Sequence, residues 1–143
     1  MVGKNFFNAY VKNYEEKWFK KIRDKGKYSL LHFDGALKGL LREVSLTNPT
    51  AIEGMTPYPL GDIKVEEFSD YVIGDSIMWG GIPGPYFTNI ISDKKFKEFV
   101  LKVIETMVKE PRYILGIGDQ IPPDGHINRI EMVSELVEKY GLY

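Results

Sequence analysis

A histidine and an aspartate stand two positions apart where a short apolar segment ends, and this pair has the residue types for chemistry. His32 lies near the end of the apolar segment 28–33, and Asp34 directly follows that segment. Side chains at positions i and i+2 of a strand point to the same side. Such a pair could bind zinc, or could form a general base with the carboxylate that orients it. A structural alternative is that Asp34 caps the next helix while His32 packs in the core.

Two further carboxylates follow apolar segments later in the chain. Glu53 ends the short segment 51–53 and is either an acid–base group or a solvated loop residue. Asp119 follows Gly116 and Gly118, where the backbone is unusually accessible. Because Gly-Asp is also common in turns, Asp119 has a structural alternative as well. Both carboxylates therefore stand as candidates for the site.

A glycine-rich segment follows the apolar segment 75–80. It begins Trp79-Gly80-Gly81 and lacks the Lys-Ser/Thr that would complete a phosphate-binding loop. Trp79 could belong to the core or could be a flat wall on which a substrate stacks. Gly80 and Gly81 could contact that substrate, or could mark a bulge or a tight exit from the strand.

The composition limits the chemistry that is possible. The 143 residues include no cysteine, which excludes disulfides, thiolate nucleophiles and cysteine-ligated zinc. Only two histidines are present, His32 and His126, so a site with several imidazole ligands within one chain is also excluded. Any metal site must then use carboxylate or main-chain oxygen beside a histidine.

Charge and hydropathy exclude other classes of function. Nineteen Lys and Arg residues balance twenty Asp and Glu residues. A net charge near zero provides no long-range attraction to nucleic acid or to an anionic membrane. The apolar segments are too short to span a bilayer, and the first residues lack the apolar core of a signal peptide. We expect a cytoplasmic protein with a small-molecule substrate and neither nucleic acid nor membrane as partner.

Helices and strands alternate along the chain. An amphipathic helix over 5–25 comes first, with an apolar stripe of residues every four positions: Phe6, Tyr10, Tyr14, Trp18 and Ile22. Strands are predicted over 28–33, 51–53, 75–80 and 112–117. Helices are predicted over 36–44, 65–72, 93–109 and 127–140, with Asp62 and Ser92 as N-caps of the second and third. We treat residues 1–143 as a single domain.

The order of elements is one helix followed by four βα units, which indicates an α/β fold with a parallel sheet. Four βα units are half of a TIM-type (β/α)8 barrel, which needs about 250 residues. Half of a barrel leaves two strand edges and an apolar face uncovered. We therefore expect the chain to form a homo-oligomer or to pair with an N-terminal half. Function in such folds gathers where the strands end, and the candidate residues above lie there.

Four ordered loop segments, together with the last helix, resemble the C-terminal half of the uroporphyrinogen decarboxylase superfamily. The segments are LHFDG (31–35), AIEGMTP (51–57), WGGIPG (79–84) and GIGDQIPPDG (116–125), and the helix contains VSELVEKYG (133–141). The resemblance covers nearly the whole chain and implies a (β/α)8 barrel. It is closest to the branch of methyltransferases that move a methyl group from a corrinoid protein to a thiol such as coenzyme M.

The resemblance also implies a metal site. Methyltransferases of this branch typically hold zinc with a His-x-Cys pair at one strand end and a cysteine after the last strand. The matching positions here are His32, Asp34 and Asp119, so both cysteines are replaced by aspartate. Oxygen ligands suit harder ions, so zinc is the first choice and manganese or iron is possible. Glu53 and Asp119 would be the catalytic carboxylates.

Three functions remain open at this point. The first is metal-assisted methyl transfer from a methylated corrinoid, carried by a partner protein, to a thiol or related acceptor. The second is cofactor-free decarboxylation of a tetrapyrrole-type carboxylate, although the strand-end loops supply almost no basic side chains to bind acidic groups. The third is a half-barrel subunit or fragment without catalysis.

Overall fold

The computed structural model of the chain describes residues 3–141, and its sheet contains four strands. They are β1 (Leu30–His32), β2 (Ala51–Met55), β3 (Ile77–Pro83) and β4 (Tyr113–Gly118). The strands lie side by side in chain order, and each neighbouring pair is parallel. The predicted α/β fold built from parallel βα units is therefore confirmed.

Helices precede the first strand and follow every strand. The α-helices are α1 (Lys4–Phe6), α2 (Lys12–Asp24), α3 (Leu41–Ser45), α4 (Phe68–Tyr71), α5 (Asp93–Met107) and α6 (Ile127–Tyr140). A π-helical segment, Phe7–Val11, joins α1 to α2, and 3-10 turns occupy Val65–Glu67 and Gly84–Phe87. Within residues 3–141, no helix combines the length and the apolar character that a membrane span requires.

The two faces of the sheet have different surroundings. Ile52, Met78 and Tyr113 belong to the core that the helices cover. Because successive side chains of a strand alternate between faces, the intervening residues point to the other side. That second face is only partly covered by the described residues, since Leu30 is 56% exposed and Ile114 is 38% exposed.

Both edge strands of the sheet, β1 and β4, pair with one neighbour within residues 3–141. This arrangement agrees with the open edges expected of a partial barrel. The predicted homo-oligomer, or pairing with an N-terminal half, stays a prediction.

The first helix buries different residues from those its sequence indicates. Phe6, Tyr10, Tyr14 and Trp18 of the predicted apolar stripe are 46–73% exposed, whereas Phe7 and Phe19 are buried. Residues four apart advance about 40° around an α-helix at each step. Residues with that spacing therefore turn gradually around the helix and do not all lie on the side that packs against the core.

The connection between β1 and β2 is less helical than predicted. The helix expected over 36–44 is reduced to α3, at residues 41–45. Before it, the Asp62 carboxylate accepts hydrogen bonds from the backbone N–H groups of Leu37 (2.8 Å) and Lys38 (3.0 Å). The prediction that Asp62 caps the helix at position 65 is wrong, because its side chain is engaged with this earlier turn. Glu67 accepts from the Lys64 N–H instead.

A buried arginine joins α6 to the loop after β3. Arg129 is 2% exposed, and its guanidinium donates to the carbonyl oxygens of Tyr86 (2.6 Å), Thr88 and Ile91 (2.8 Å). It also donates twice to the carboxylate of Asp93, at 3.0 and 2.7 Å. A planar fork with five N–H donors is suited to such a set of acceptors. The 84–92 segment is therefore fixed by one side chain from the last helix.

Candidate functional site

The centre of the candidate site is a pair of residues opposite each other on β1 and β2. His32 and Glu53 are register partners in the parallel pairing of these strands. His32 Nδ1 lies 2.6 Å from Glu53 Oε2. Because an ionised carboxylate only accepts hydrogen bonds, the imidazole Nδ1–H is the donor. The lone pair of the neutral ring is then on Nε2, which is left available for a ligand or a proton.

The hydrogen bond to Glu53 raises the pKa of His32 above its ordinary value, against a smaller lowering by partial burial. The charges of Glu53, Asp34 and Asp119 act in the same direction as the hydrogen bond. The imidazole is 52% exposed and the Glu53 side chain is 22% exposed. The dyad is therefore accessible from solvent on its His32 side.

Asp119 lies on the free side of this imidazole, and Asp34 lies near both residues. His32 Nε2 lies 3.7 Å from Asp119 Oδ1. One ligand atom from each of His32, Asp34 and Asp119 can be chosen so that all three lie within 4.8 Å of one another. This separation is too long for direct hydrogen bonds but suits groups that share an ion or a water molecule. The structure brings together the three residues that the sequence indicates as ligands.

The loop that carries Asp119 is held against the end of β2. Thr56 Oγ1 donates a hydrogen bond to the carbonyl oxygen of Gly118 (3.0 Å) and lies 3.4 Å from that of Gly54. Asp119 has φ +81°, in the left-handed region that non-glycine residues seldom adopt. The position of Asp119 is therefore set by its own backbone turn and by the hydrogen bond that holds the preceding residue, Gly118.

Gly54 provides the space for the His32 imidazole. It has φ +88°, and a Cβ atom built on it would lie 2.9 Å from His32 Cε1. The register of β2 and β3 shifts between Glu53 and Met55, where Gly54 forms an irregularity. A glycine at this position lets the backbone of β2 pass directly beside the ring.

Trp79 extends the row of the dyad across the sheet. Glu53 pairs with Trp79, and Trp79 with Ile114, so the row runs from His32 through all four strands on one face. A Cβ on Gly116 would lie 2.4 Å from Trp79 Nε1, so the indole covers that glycine. Trp79 therefore lies in the same row as the dyad, with its indole over β4. The predicted stacking of a substrate on it stays a prediction.

Gly80 and Gly81 lie in the same strand but have different surroundings. Both are buried, and a Cβ on them would lie 2.3 Å from the Met55 carbonyl oxygen and 2.0 Å from the Tyr113 hydroxyl respectively. Their lack of side chains allows strands to approach closely. Their predicted contact with substrate stays a prediction.

A cleft opens beside His32 and Asp34, two of the three converging residues. It has a volume of about 640 Å³ and is lined by His32 and Asp34 together with Phe33, Leu40 and Asp62. The size falls within the range that binds small molecules. The His32 imidazole is therefore accessible from this cleft.

The sequence pattern did not indicate two of these contacts. It offered Asp34 as the carboxylate that orients His32, whereas the structure gives this place to Glu53. The signal was available in principle, because both residues lie near the ends of consecutive predicted strands, and parallel strands align their ends. Thr56 was missed because a threonine after a strand has no pattern that marks it as functional.

Comparisons with known proteins add one structural likeness. No family model matches the chain, and no curated protein matches it. Among solved structures, the chain is similar to a methyltransferase from Methanosarcina mazei, with a TM-score of 0.79 and 12% sequence identity. The match covers 99% of this chain and 39% of that protein, so this chain spans well under half of its neighbour's length. At this identity the likeness shows the fold alone.

Proposed function

We propose that the chain is the C-terminal part of a methyltransferase-like barrel that binds a divalent cation through His32, Asp34 and Asp119. One observation carries this proposal: His32 at the end of β1, Asp34 just after it and Asp119 just after β4 each have a ligand atom within 4.8 Å of the others. Asp119 is 85 or more positions away from the other two in the sequence. The resemblance in the loop motifs and the methyltransferase identity of the structural neighbour support the same class of reaction.

The donor set is suitable for an ion of intermediate hardness. One imidazole nitrogen and two carboxylates are ligands that zinc accepts, and that manganese and iron also accept. Two ligand atoms of a tetrahedral zinc ion lie about 3.4 Å apart when each bond is about 2.1 Å. The 3.7 Å between His32 Nε2 and Asp119 Oδ1 is close to that value. Small side-chain rotations would bring in the third ligand, because all three residues are exposed.

Glu53 has a supporting role in this proposal. Histidines that bind metals usually donate their second N–H to a carboxylate, which fixes the ring and raises its basicity. Glu53 accepts that bond here, so it orients His32 for the ion and can also accept a proton from the acceptor. A Lewis-acidic cation at this place would stabilise the anion of an acceptor thiol or water.

We propose a methylated corrinoid, presented by a partner protein, as the methyl donor and a thiol or related small molecule as the acceptor. The methyl group would pass as a cation from the corrinoid cobalt to the acceptor sulfur. The Co–C bond would break with its electron pair left on cobalt, as Co(I), while a C–S bond forms. The thiol proton would go to a base such as Glu53. Trp79 would form a wall against which one of the two substrates packs. The likeness of the loop motifs to corrinoid-dependent methyltransferases supports this part of the proposal.

Metal titration tests the proposal directly. Protein treated with a chelator and then titrated with Zn²⁺, Mn²⁺ or Fe²⁺ in a calorimeter is expected to bind one ion per chain. Asp34→Ala should weaken binding by about 10-fold or more, because one of three ligands is lost. Asp70→Ala, which removes an exposed aspartate of α4, is the matched control. Absence of binding by the wild-type protein, or equal binding by Asp34→Ala, would contradict the proposal.

Methyl transfer is tested separately, with methylcobalamin as donor and 2-mercaptoethanol as acceptor. The absorbance change of the corrinoid on demethylation reports turnover. We expect a rate that depends on added zinc and is lost in His32→Ala. If the protein binds metal but does not demethylate the corrinoid in a zinc-dependent way, the metal site stands and the proposed methyl transfer is wrong.

A further inference from the structure

We infer that Thr56 is a positioning residue whose hydroxyl sets where Asp119 stands relative to His32. This inference rests on the proposed function in one respect, since it takes Asp119 as a ligand. The relevant relationship is a side-chain contact between the ends of two strands that are not neighbours. Thr56 follows β2 and Gly118 ends β4, with β3 between them in the sheet.

The contact is a hydrogen bond between the Thr56 hydroxyl and a backbone carbonyl. Thr56 Oγ1 donates to the oxygen of Gly118 at 3.0 Å, across 62 positions of sequence. The bond is partly buried, so the carbonyl has limited access to water as a replacement. Removing the hydroxyl would leave that partly buried carbonyl without this side-chain donor, which is unfavourable.

Two glycines allow the backbone to approach closely around this contact. A Cβ on Gly118 would lie 2.1 Å from Thr56 Oγ1 and 2.8 Å from its Cα, so any side chain there would separate the two strand ends. A Cβ on Gly80 of β3 would lie 2.3 Å from the carbonyl oxygen of Met55, the residue before Thr56. The local sequence is thus arranged to bring Thr56 against the residue before Asp119.

Asp119 depends on this contact because it is the next residue and has a constrained backbone. Its φ of +81° is costly for a residue with a Cβ and persists only where neighbouring contacts hold it. With the Gly118 carbonyl fixed, the carboxylate of Asp119 stands 3.7 Å from His32 Nε2. If the carbonyl is released, the turn can relax and move the carboxylate away from the imidazole.

The test compares zinc affinity in Thr56→Val, which keeps the shape but loses the hydroxyl, and in Thr56→Ser, which keeps the hydroxyl. We expect Thr56→Val to weaken zinc binding about 10-fold, as is typical for residues that support a ligand. Thr56→Ser should restore most of the affinity. Thr106→Val is the matched control, because its hydroxyl bonds within α5 to the Lys102 carbonyl, away from the site. Equal affinities in wild-type protein and Thr56→Val would overturn the inference.

A double variant separates positioning from general damage. In an Asp119→Asn background, Thr56→Val should have less than about a two-fold further effect, because both changes act on one ligand. A full additional loss would show that Thr56 acts on the site by another route and would reject the inference.

A metal-free measurement keeps this inference independent of the proposed function. In ¹H–¹⁵N spectra of the wild-type protein without added metal, the amide signals of residues 118–120 should be sharp. Thr56→Val should shift or broaden them, and Thr56→Ser should not. If wild-type protein binds no zinc but these signals respond as stated, the metal proposal fails while the positioning role stands. If the amide signals of residues 118–120 are unchanged in Thr56→Val, the positioning role of Thr56 is wrong.

Discussion

His32 and Glu53 face each other in the β1–β2 register and are joined by a 2.6 Å hydrogen bond from the imidazole Nδ1. The bond determines which ring nitrogen faces Asp119, because Nδ1 is already engaged. A site with this arrangement presents one basic nitrogen and two carboxylates to a ligand. The proposed metal binding depends on this orientation of the His32 ring, with Nε2 directed toward Asp119.

Glu53→Gln should weaken zinc binding by about 10-fold or more while the fold is retained. The neutral amide still occupies the space, but it no longer increases the basicity of the imidazole as a carboxylate does. Calorimetric titration measures the affinity, and circular dichroism checks the fold. Glu105→Gln, at an exposed position on α5, is the matched control and should bind zinc as wild type does. If the Glu53 variant binds equally well, the carboxylate has no part in orienting the ligand.

Gly116→Ala should displace Trp79 and destabilise the protein by about 1–3 kcal/mol, the usual cost of overpacking. The added methyl group would lie 2.4 Å from Trp79 Nε1. In a Trp18→Phe background Trp79 is the remaining tryptophan of the two, so a red-shifted emission would report its movement.

Gly39→Ala is the control for this change, because no heavy atom lies within 4 Å of its Cβ position. It should leave the emission and the urea midpoint unchanged. Identical emission from the Gly116 variant would show that the indole does not cover this glycine.

The sequence allowed the order of βα units to be predicted because hydrophobic periodicity and helix caps are local signals. The helix that becomes α5 and its Ser92 cap were predicted from such signals, and Ser92 Oγ accepts from the Lys95 N–H. The 36–44 helix was predicted too long, and the turn before α3 is bonded to Asp62, a partner 24 and 25 positions later. Local patterns do not contain contacts of that separation.

The candidate site shows the same limit. The positions of His32, Asp34 and Asp119 at strand ends could be inferred from the chain alone. The bond from His32 to Glu53 requires the register of two strands, which periodicity does not supply. The role of Arg129 could not be predicted from the sequence. Its acceptors are mostly backbone carbonyl oxygens, and these do not depend on residue type.

Arg129→Lys should destabilise the protein by about 3 kcal/mol or more. Lysine keeps the charge but lacks the planar fork, so several buried carbonyl oxygens and the Asp93 carboxylate lose donors. Urea denaturation followed by circular dichroism measures the change. Arg42→Lys at an exposed position of α3 is the control and should stay within about 0.5 kcal/mol of wild type. A small effect at position 129 would show that the loop is held by other contacts.

Glu43→Gln should destabilise the protein at neutral pH, and the difference from wild type should shrink in acid. The hydrogen bond from Lys4 (2.6 Å), with Lys12 nearby (3.6 Å), lowers the pKa of Glu43 below its ordinary value. A lowered folded-state pKa contributes stability that is fully present above the unfolded value of about 4.3 and is lost as the pH falls through the folded value.

Urea midpoints measured from pH 7 down to pH 3 for both proteins test this. Exposed Glu105→Gln should show no such pH-dependent difference. A difference that grows as the pH falls would contradict the assigned sign.

The Arg129 contacts also set an order of events during synthesis. The ribosome adds the carbonyl groups of Tyr86, Thr88 and Ile91 well before it adds the arginine that binds them. Until the last helix has left the exit tunnel, the loop after β3 lacks its main set of donors. Domains generally fold as their chain emerges, but this loop can form its arginine contacts only after α6 has been made. Nascent chains whose α6 is still inside the exit tunnel should therefore stay sensitive to protease within residues 84–92. Chains stalled on an added C-terminal linker, so that α6 lies outside the tunnel, should become resistant.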